Sequence, residues 1–493
     1  MSTRLFICLL LFVFCVNNAL AQNTNDSFQQ FRQEVIGRYQ GFRKSVLDDY
    51  AKYLDGVWKE YESFRGVKRD NKPKPDDMPK ADDTPVVPVN LPEPEITPVP
   101  NEPNVPEKQT KPSVPAIPSA PVVPAAPSKP TSKGIEFDFY GMKWTGPMMK
   151  KAEVEAYSSD ACVKAWNWYK SNGVQKIVSK LSEMARVNGL NDWFTFQMVR
   201  KYSNAVTNDN GHMESILLQH FILANMGYDI RLSRTDSKYF LLVPFEQMVY
   251  ERGYIIINEK KYHIFLNDDA ELQTGEYIYT CDIPQNIDCG RMLSLLYNDD
   301  ARIAEVNMRG KTLTDGSISV TGEVPVTLME MLRHYPQTDI PVYAMSNIMH
   351  ALRKDVISQI KPQIAGLSQR DAANKLIRFV QYAFDYATDG EQHGYEKAYF
   401  FEENFYYPKN DCEDRSIFYA YLIHELLGLD VHLVHFPGHE CTAINFTDAS
   451  INGDAYVYKG KKYTICDPTY IGANIGVCMP QYRNEKPKVE IWH

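Results

Sequence analysis

The sequence predicts an α+β fold with two α+β units in tandem, preceded by an N-terminal helix and an extended linker. Three observations carry this. The apolar run 417–427 is closed by Gly428, as helix C-termini commonly are, and strand-like stretches follow at 441–446 and 462–466. Slid back by 201 positions without gaps, that region matches an earlier one. Between the two, residues 302–326 alternate apolar and polar positions, with turn signals at Arg309-Gly310 and Asp315-Gly316, the pattern of a hairpin or small sheet.

With 493 residues the chain can hold two or three domains. A formal charge of −9 provides no basic footprint, which argues against a nucleic-acid partner. Residues 1–21 read as a secretory signal: Arg4, an apolar run from Leu5 to Val16, then Ala19-Leu20-Ala21. The run is too short to span a bilayer, so no transmembrane segment is expected after cleavage. An exported protein, periplasmic or extracellular and of Gram-negative bacterial type, is the expectation.

Residues 22–70 carry an eleven-residue repeat, with Phe28, Tyr39, Tyr50 and Tyr61 in one register and Phe31, Phe42, Tyr53 and Phe64 in another. Such spacing keeps an apolar stripe on one side of a helix, so 28–64 is predicted to be a long amphipathic helix. It would dock on its own globular part, self-associate or bind a partner. Of the 30 prolines, 18 fall in 71–132, which reads as an extended, semi-rigid linker.

The first unit is expected over 133–295, with helices at 161–170 and 174–185. A connecting region at 296–365 holds the hairpin and helices at 326–334 and 344–360. The second unit spans 366–493, where Ser368 and Asp371 look like a helix cap. At the offset of 201, Ser416 matches Ser215, Gly428 Gly227, Asp430 Asp229, and Lys461-Lys462-Tyr463 matches Lys260-Lys261-Tyr262. At that offset Cys412 falls on Gly211, His439 on Lys238 and Asp467 on Leu266.

Those three residues are where chemistry is expected. Cys412 stands in Asn410-Asp411-Cys412-Glu413-Asp414-Arg415-Ser416 and should open a buried helix, whose positive dipole end favours thiolate. His439 follows Pro437-Gly438 at the start of one strand, and Asp467 ends another. On neighbouring antiparallel strands the carboxylate would orient the imidazole while the second ring nitrogen faces the thiol. The backbone N–H of Cys412 would serve as one oxyanion donor. Six of the seven aromatics between 395 and 407 (Tyr395, Phe400, Phe401, Phe405, Tyr406 and Tyr407) are expected to wall a substrate groove and in part to fill the core.

This order of Cys, His and Asp resembles the transglutaminase-like superfamily, relatives of papain-type peptidases, over about residues 376–479. It looks closest to secreted bacterial members with an Asp-Cys-Glu-Asp signature and an Asp-Pro-Thr after the last strand. The resemblance implies a thiol hydrolase of peptide or isopeptide bonds acting through a thioester on a protein or peptide substrate. Amine transfer by the same thioester, or a scaffold that has lost the reaction, are the alternatives. It implies no required cofactor, with calcium on Asp411, Glu413 or Asp414 as an option. The first unit would then be a degenerate copy. Seven cysteines follow the signal. Strand parity sets Cys441 and Cys466 on opposite faces, against a bridge between them, and Cys281 with Cys289 is the expected pair.

Overall fold

A computed structural model of the chain describes residues 134–492 apart from 209–212, 236, 268–276, 281–289 and 304–306. Nearer the N-terminus it describes 48, 51, 52, 54, 58–69, 78–81 and 87–97. The signal segment, most of the amphipathic repeat, Gly211 and the Cys281–Cys289 pair lie outside the described residues.

Two N-terminal strands come first, β1 (Lys59–Glu62) and β2 (Glu95–Thr97), then the hairpin β3 (Ile135–Phe139) and β4 (Met142–Gly146). The first unit follows with α1 (Ser159–Ser171), α2 (Val174–Val187), α3 (Asp192–Thr207) and α4 (Met213–Asn225). Its strands are β5 (Arg231–Arg234), β6 (Tyr239–Val243), β7 (Tyr254–Ile257), β8 (Lys260–Phe265) and β9 (Tyr277–Thr280). The connecting region is the hairpin β10 (Met308–Thr314) and β11 (Ser319–Pro325), with α5 (Val326–Arg333), α6 (Ile340–Met345) and α7 (His350–Ile360). The second unit begins with α8 (Gln369–Tyr382), β12 (Asp385–Tyr386), α9 (Asp389–Gln392) and β13 (Lys409–Asn410). It ends with α10 (Cys412–Leu427), β14 (Asp430–Phe436), β15 (His439–Asn445), β16 (Ala455–Tyr458), β17 (Lys461–Cys466) and β18 (Lys488–Trp492). The fold is α+β.

The two large sheets have one strand order. The first runs β7-β8-β6-β5-β9-β1 and the second β16-β17-β15-β14-β18-β2. Registers agree as well: Tyr254↔His263 and Ile257↔Lys260 recur as Ala455↔Thr464 and Tyr458↔Lys461, each 201 positions on. Leu241↔Phe265 likewise recurs as Thr442↔Cys466. Before each sheet a helix ends at a left-handed glycine, Gly227 (φ 96°) or Gly428 (φ 65°), a conformation that costs glycine little. Lys260 pairs with Asp229 at 2.8 Å, and Lys461 with Asp430 at 2.6 Å.

The N-terminal segment is helical at Asp48, Ala51, Lys52 and Leu54, as expected, and departs from expectation further on. Residues 59–62 are not helical; they form β1, antiparallel to β9, and Tyr61 packs on the outer core of Phe240, Leu242, Ile255, Tyr262 and Ile264. An open sheet edge offers a row of unpaired N–H and C=O groups, which outcompetes helix continuation here. The described part of the linker is not a free spacer either. Leu91 N–H donates to Ala455 O at 2.8 Å on one edge of the second sheet, and Glu95–Thr97 runs parallel to β18 on the other. Val89, Leu91 and Ile96 cover Val434, Phe436, Tyr456, Tyr463 and Ile465. Proline-rich chain is already extended, and its non-proline residues supply the donors that an edge requires.

The predicted helix 344–360 is two, α6 and α7, because the chain turns extended at Ser346 (ψ 142°) and Asn347 N–H donates to Tyr297 O at 2.8 Å. Arg309-Gly310 lies within β10 opposite Val324 and Glu323, so the hairpin turns only at Asp315-Gly316. One continuous apolar core runs through both units and the connecting helices. Among the described residues no helix is long and apolar enough to cross a membrane.

Candidate active site

Cys412 is the first residue of α10, and its neighbours hold the turn that delivers it. Asp411 caps the helix, its backbone N–H donating to Asp414 Oδ2 at 3.3 Å within a capping box. Asp414 Oδ1 accepts the Tyr399 N–H at 2.7 Å, which ties the preceding aromatic loop to the helix start. Arg415 is fully buried and donates to Asn410 Oδ1 at 2.8 Å and to the carbonyls of Gln381 and Phe384 at 3.1 and 3.0 Å. Those carbonyls close α8, where a cation is favoured. Cys412 and Glu413, by contrast, line a cavity with His439, Glu440, His435, Glu396 and Arg69.

His439 is positioned by a two-residue turn. Phe436 and His439 pair across it, Pro437 restrains the first turn position, and Gly438 supplies the positive φ of 73° needed at the second. Across the sheet Thr442 pairs with Cys466, so Asp467 arrives beside Cys441 on His439's side. The result is a bond of 2.8 Å between His439 Nε2 and Asp467 Oδ2, both residues buried. With Nε2 engaged, Nδ1 is the remaining ring nitrogen.

The Asp-Pro-Thr mark now has a physical reason. Asp467 Oδ1 accepts from Thr469 N–H at 2.9 Å, Thr469 Oγ1 at 2.7 Å and Tyr470 N–H at 3.1 Å, which leaves Oδ2 for the imidazole. Burial opposes ionisation of Asp467, but His439 and the Thr469 donors outweigh it and hold the carboxyl below its usual range. Gln381 on α8 secures the same turn by donating to the Tyr470 and Ala473 carbonyls, each at 2.9 Å. Tyr482 lies flat on the imidazole, ring centroids 5.3 Å apart and planes 4° from parallel, and stacks also on Phe436 at 4.8 Å.

Cys412 is 3 % exposed yet belongs to none of the apolar clusters; its Sγ lies 3.3 Å from Glu413 Oε2. Glu413 therefore does not turn away from the thiol, whereas Asp414 does. Of the acids singled out for calcium, Asp411 stands within 4.8 Å of Glu413 and Cys412 in one group and of Asp414 in another. Among the described residues, carboxylate oxygens meet within 4.8 Å in the trios Asp389, Asp411, Asp414 and Asp389, Glu396, Glu413. Calcium takes about six to eight oxygens, but Asp414 has both oxygens bonded to backbone N–H groups and Asp389 Oδ2 accepts from Lys397 N–H at 2.7 Å. The donors fit that ion poorly.

No family model, curated protein or solved structure matches this chain.

Of the six aromatics expected at a groove, Phe400, Phe401 and Phe405 are core residues, Phe401 stacking on Phe418 at 5.1 Å. Sequence reasoning missed Glu440, Glu396, His435, Arg69 and Tyr482. Only Glu440 had a signal, since it adjoins His439 in the sequence. Cys441 and Cys466 do lie on opposite faces, and among the described residues Cys162, Cys412, Cys441, Cys466 and Cys478 are in no disulfide.

Proposed function

We propose that the chain is an exported thiol hydrolase of transglutaminase-like type that cleaves peptide or isopeptide bonds through Cys412, His439 and Asp467. The observation that carries this reading is the His439–Asp467 bond of 2.8 Å beside a cavity that a helix-opening cysteine also lines. His439 Nδ1 takes the thiol proton, and the sulfur attacks the substrate carbonyl carbon. The tetrahedral oxyanion forms near the first turn of α10, whose dipole and N–H groups stabilise it. His439 returns the proton to the departing amine, leaving a thioester, and then takes a proton from the water that hydrolyses it. The acid leaves and the thiol is restored.

The first unit, which shares strand order with the second, would be a copy without the triad. Leu266, the counterpart of Asp467, is buried in apolar packing, which favours scaffold for that unit alone.

Iodoacetamide labelling of the pure chain across pH tests the proposal, with Cys412→Ala as control. Labelling at Cys412 that exceeds the other thiols and falls at least tenfold in His439→Ala is expected; an inert Cys412 would sink it. Adding EGTA should leave both that rate and the melting temperature unchanged.

A further inference from the structure

Tyr482 touches the turn that delivers His439 at three points. It belongs to a short 3-10 helix, Pro480–Tyr482, that follows Met479. Its ring stacks on Phe436, the residue before Pro437-Gly438, at 4.8 Å and 12°. It lies over the His439 imidazole at 5.3 Å and 4°, so the three rings are nearly parallel. Its hydroxyl reaches the Pro437 carbonyl at 3.4 Å, longer than a good hydrogen bond.

Tyr482 is held there from both sides. Its N–H donates to Met479 O at 3.0 Å, and its carbonyl accepts Glu485 N–H at 3.1 Å. Met479 is buried with Tyr470 and Ala473, and Tyr482 and Ala81 pack against them. Ala81 arrives from the proline-rich segment, whose backbone is bonded to Ile471 in both directions: Ala81 N–H to Ile471 O and Ile471 N–H to Pro79 O, each at 2.9 Å. On the other side Arg483 is clamped to buried Asp454 at 2.7 and 3.1 Å. A ring locked by packing and hydrogen bonds in this way is preorganised, as a group that supports a reacting side chain has to be.

The face of a phenol ring is electron-rich, so it favours a cation lying on it over a neutral group. His439 becomes such a cation when it takes the thiol proton. Charged groups already act on this pair. Glu413 and Glu440 line the cavity that Cys412 and His439 share, and Glu490 on β18 stands within electrostatic range of Glu440. Carboxylates favour imidazolium but oppose thiolate. An aromatic face does the first without bringing a negative charge to do the second. Burial, and after it Cys412, raises the Tyr482 phenol, which therefore stays neutral beside the sulfur.

Resting on the thiol-hydrolase reading, we infer that Tyr482 is a positioning residue for His439: its ring holds the imidazole in the plane that meets Asp467 and stabilises the imidazolium formed when the Cys412 proton moves to Nδ1. Tyr482 acts through the imidazole and takes no proton itself.

The test is a double-mutant cycle on the full chain, read as the rate of Cys412 alkylation by iodoacetamide at neutral pH. Tyr482→Leu, which fills space without a ring face, should slow that rate by at least about threefold, the effect of a cation–π contact of ordinary strength. Tyr482→Phe restores the face and should recover most of the loss. In a His439→Ala background Tyr482→Leu should change nothing further. Equal slowing in both backgrounds, or slowing in Tyr482→Phe that matches Tyr482→Leu, overturns the inference. If Tyr482→Leu does not fold, Tyr482→Met takes its place; if neither folds, the residue serves folding alone and the inference falls. NMR of the chain with isotope-labelled histidine rings keeps this test apart from the enzyme reading. The resonance missing in His439→Ala should move in Tyr482→Leu, where the ring current is gone, and return in Tyr482→Phe. An inert Cys412 with that shift present removes the enzyme reading and leaves Tyr482 as the residue that positions the imidazole; an unmoved resonance overturns the inference whatever Cys412 does.

Discussion

Glu413 and Glu490 act on the same cavity in different ways. At 3.3 Å from the sulfur, the Glu413 carboxylate repels negative charge on Cys412 and works against the helix dipole that favours it. Glu413→Gln should therefore speed alkylation of Cys412 at neutral pH by roughly tenfold, the effect of about 1.4 kcal/mol of removed repulsion. A rate that stays level or falls would mean the carboxylate assists the thiol instead. Glu490 is pushed up to about 8, first by burial and then by Glu440, with Arg69 pulling it back from its ordinary 4.5. A raised folded value means the folded chain keeps a proton that the unfolded chain has released. The contribution to stability is complete below about pH 4.5 and disappears as pH rises through about 8. Melting temperatures measured between those limits should fall less steeply in Glu490→Gln than in the parent, and the variant should melt higher at pH 9.

At the scale of elements, local chemistry was legible wherever one residue type can do the job. Ser368 caps α8 by accepting the Asp371 N–H at 3.1 Å, Gly428 ends α10, and Pro437-Gly438 turns the chain into β15. The positions of the candidate residues were readable for the same reason: a helix start, a turn and a strand end hold Cys412, His439 and Asp467. The N-terminal strands were not readable, because Tyr61 and Phe64 have helical spacing and only the distant edge of β9 and the backbone of Tyr254 make them extended. The acidic cavity was missed for a similar cause, since Glu440, Glu490 and Arg69 are brought together by sheet pairing and by a close backbone approach at Gly66. Gly438→Ala tests how far the turn sets the site. A side chain at φ 73° is strained, so a loss of at least about 1 kcal/mol in denaturant unfolding is expected. His439 follows directly, and the rate of Cys412 labelling should drop with it; unchanged labelling would show that the strand alone positions the imidazole.

Over the whole molecule, each sheet takes its sixth strand from the N-terminal chain, β1 in the first unit and β2 in the second. Each donated stretch also covers its sheet's outer apolar face, Tyr61 on the first and Val89, Leu91 and Ile96 on the second. The inner faces share one continuous core, so global unfolding should be cooperative, while the outer faces are separate cores that can open one at a time. Leu91 is 5 % exposed on the second outer face, and placing a charge there should cost about 3 kcal/mol or more. In Leu91→Asp, amide hydrogen exchange should accelerate in β14, β15 and β18, near the candidate catalytic residues, while β5, β6 and β8 keep their protection. Tyr61→Asp should give the reverse pattern. If either variant deprotects both sheets equally, the outer cores are coupled and the N-terminal chain acts as one clamp on the pair.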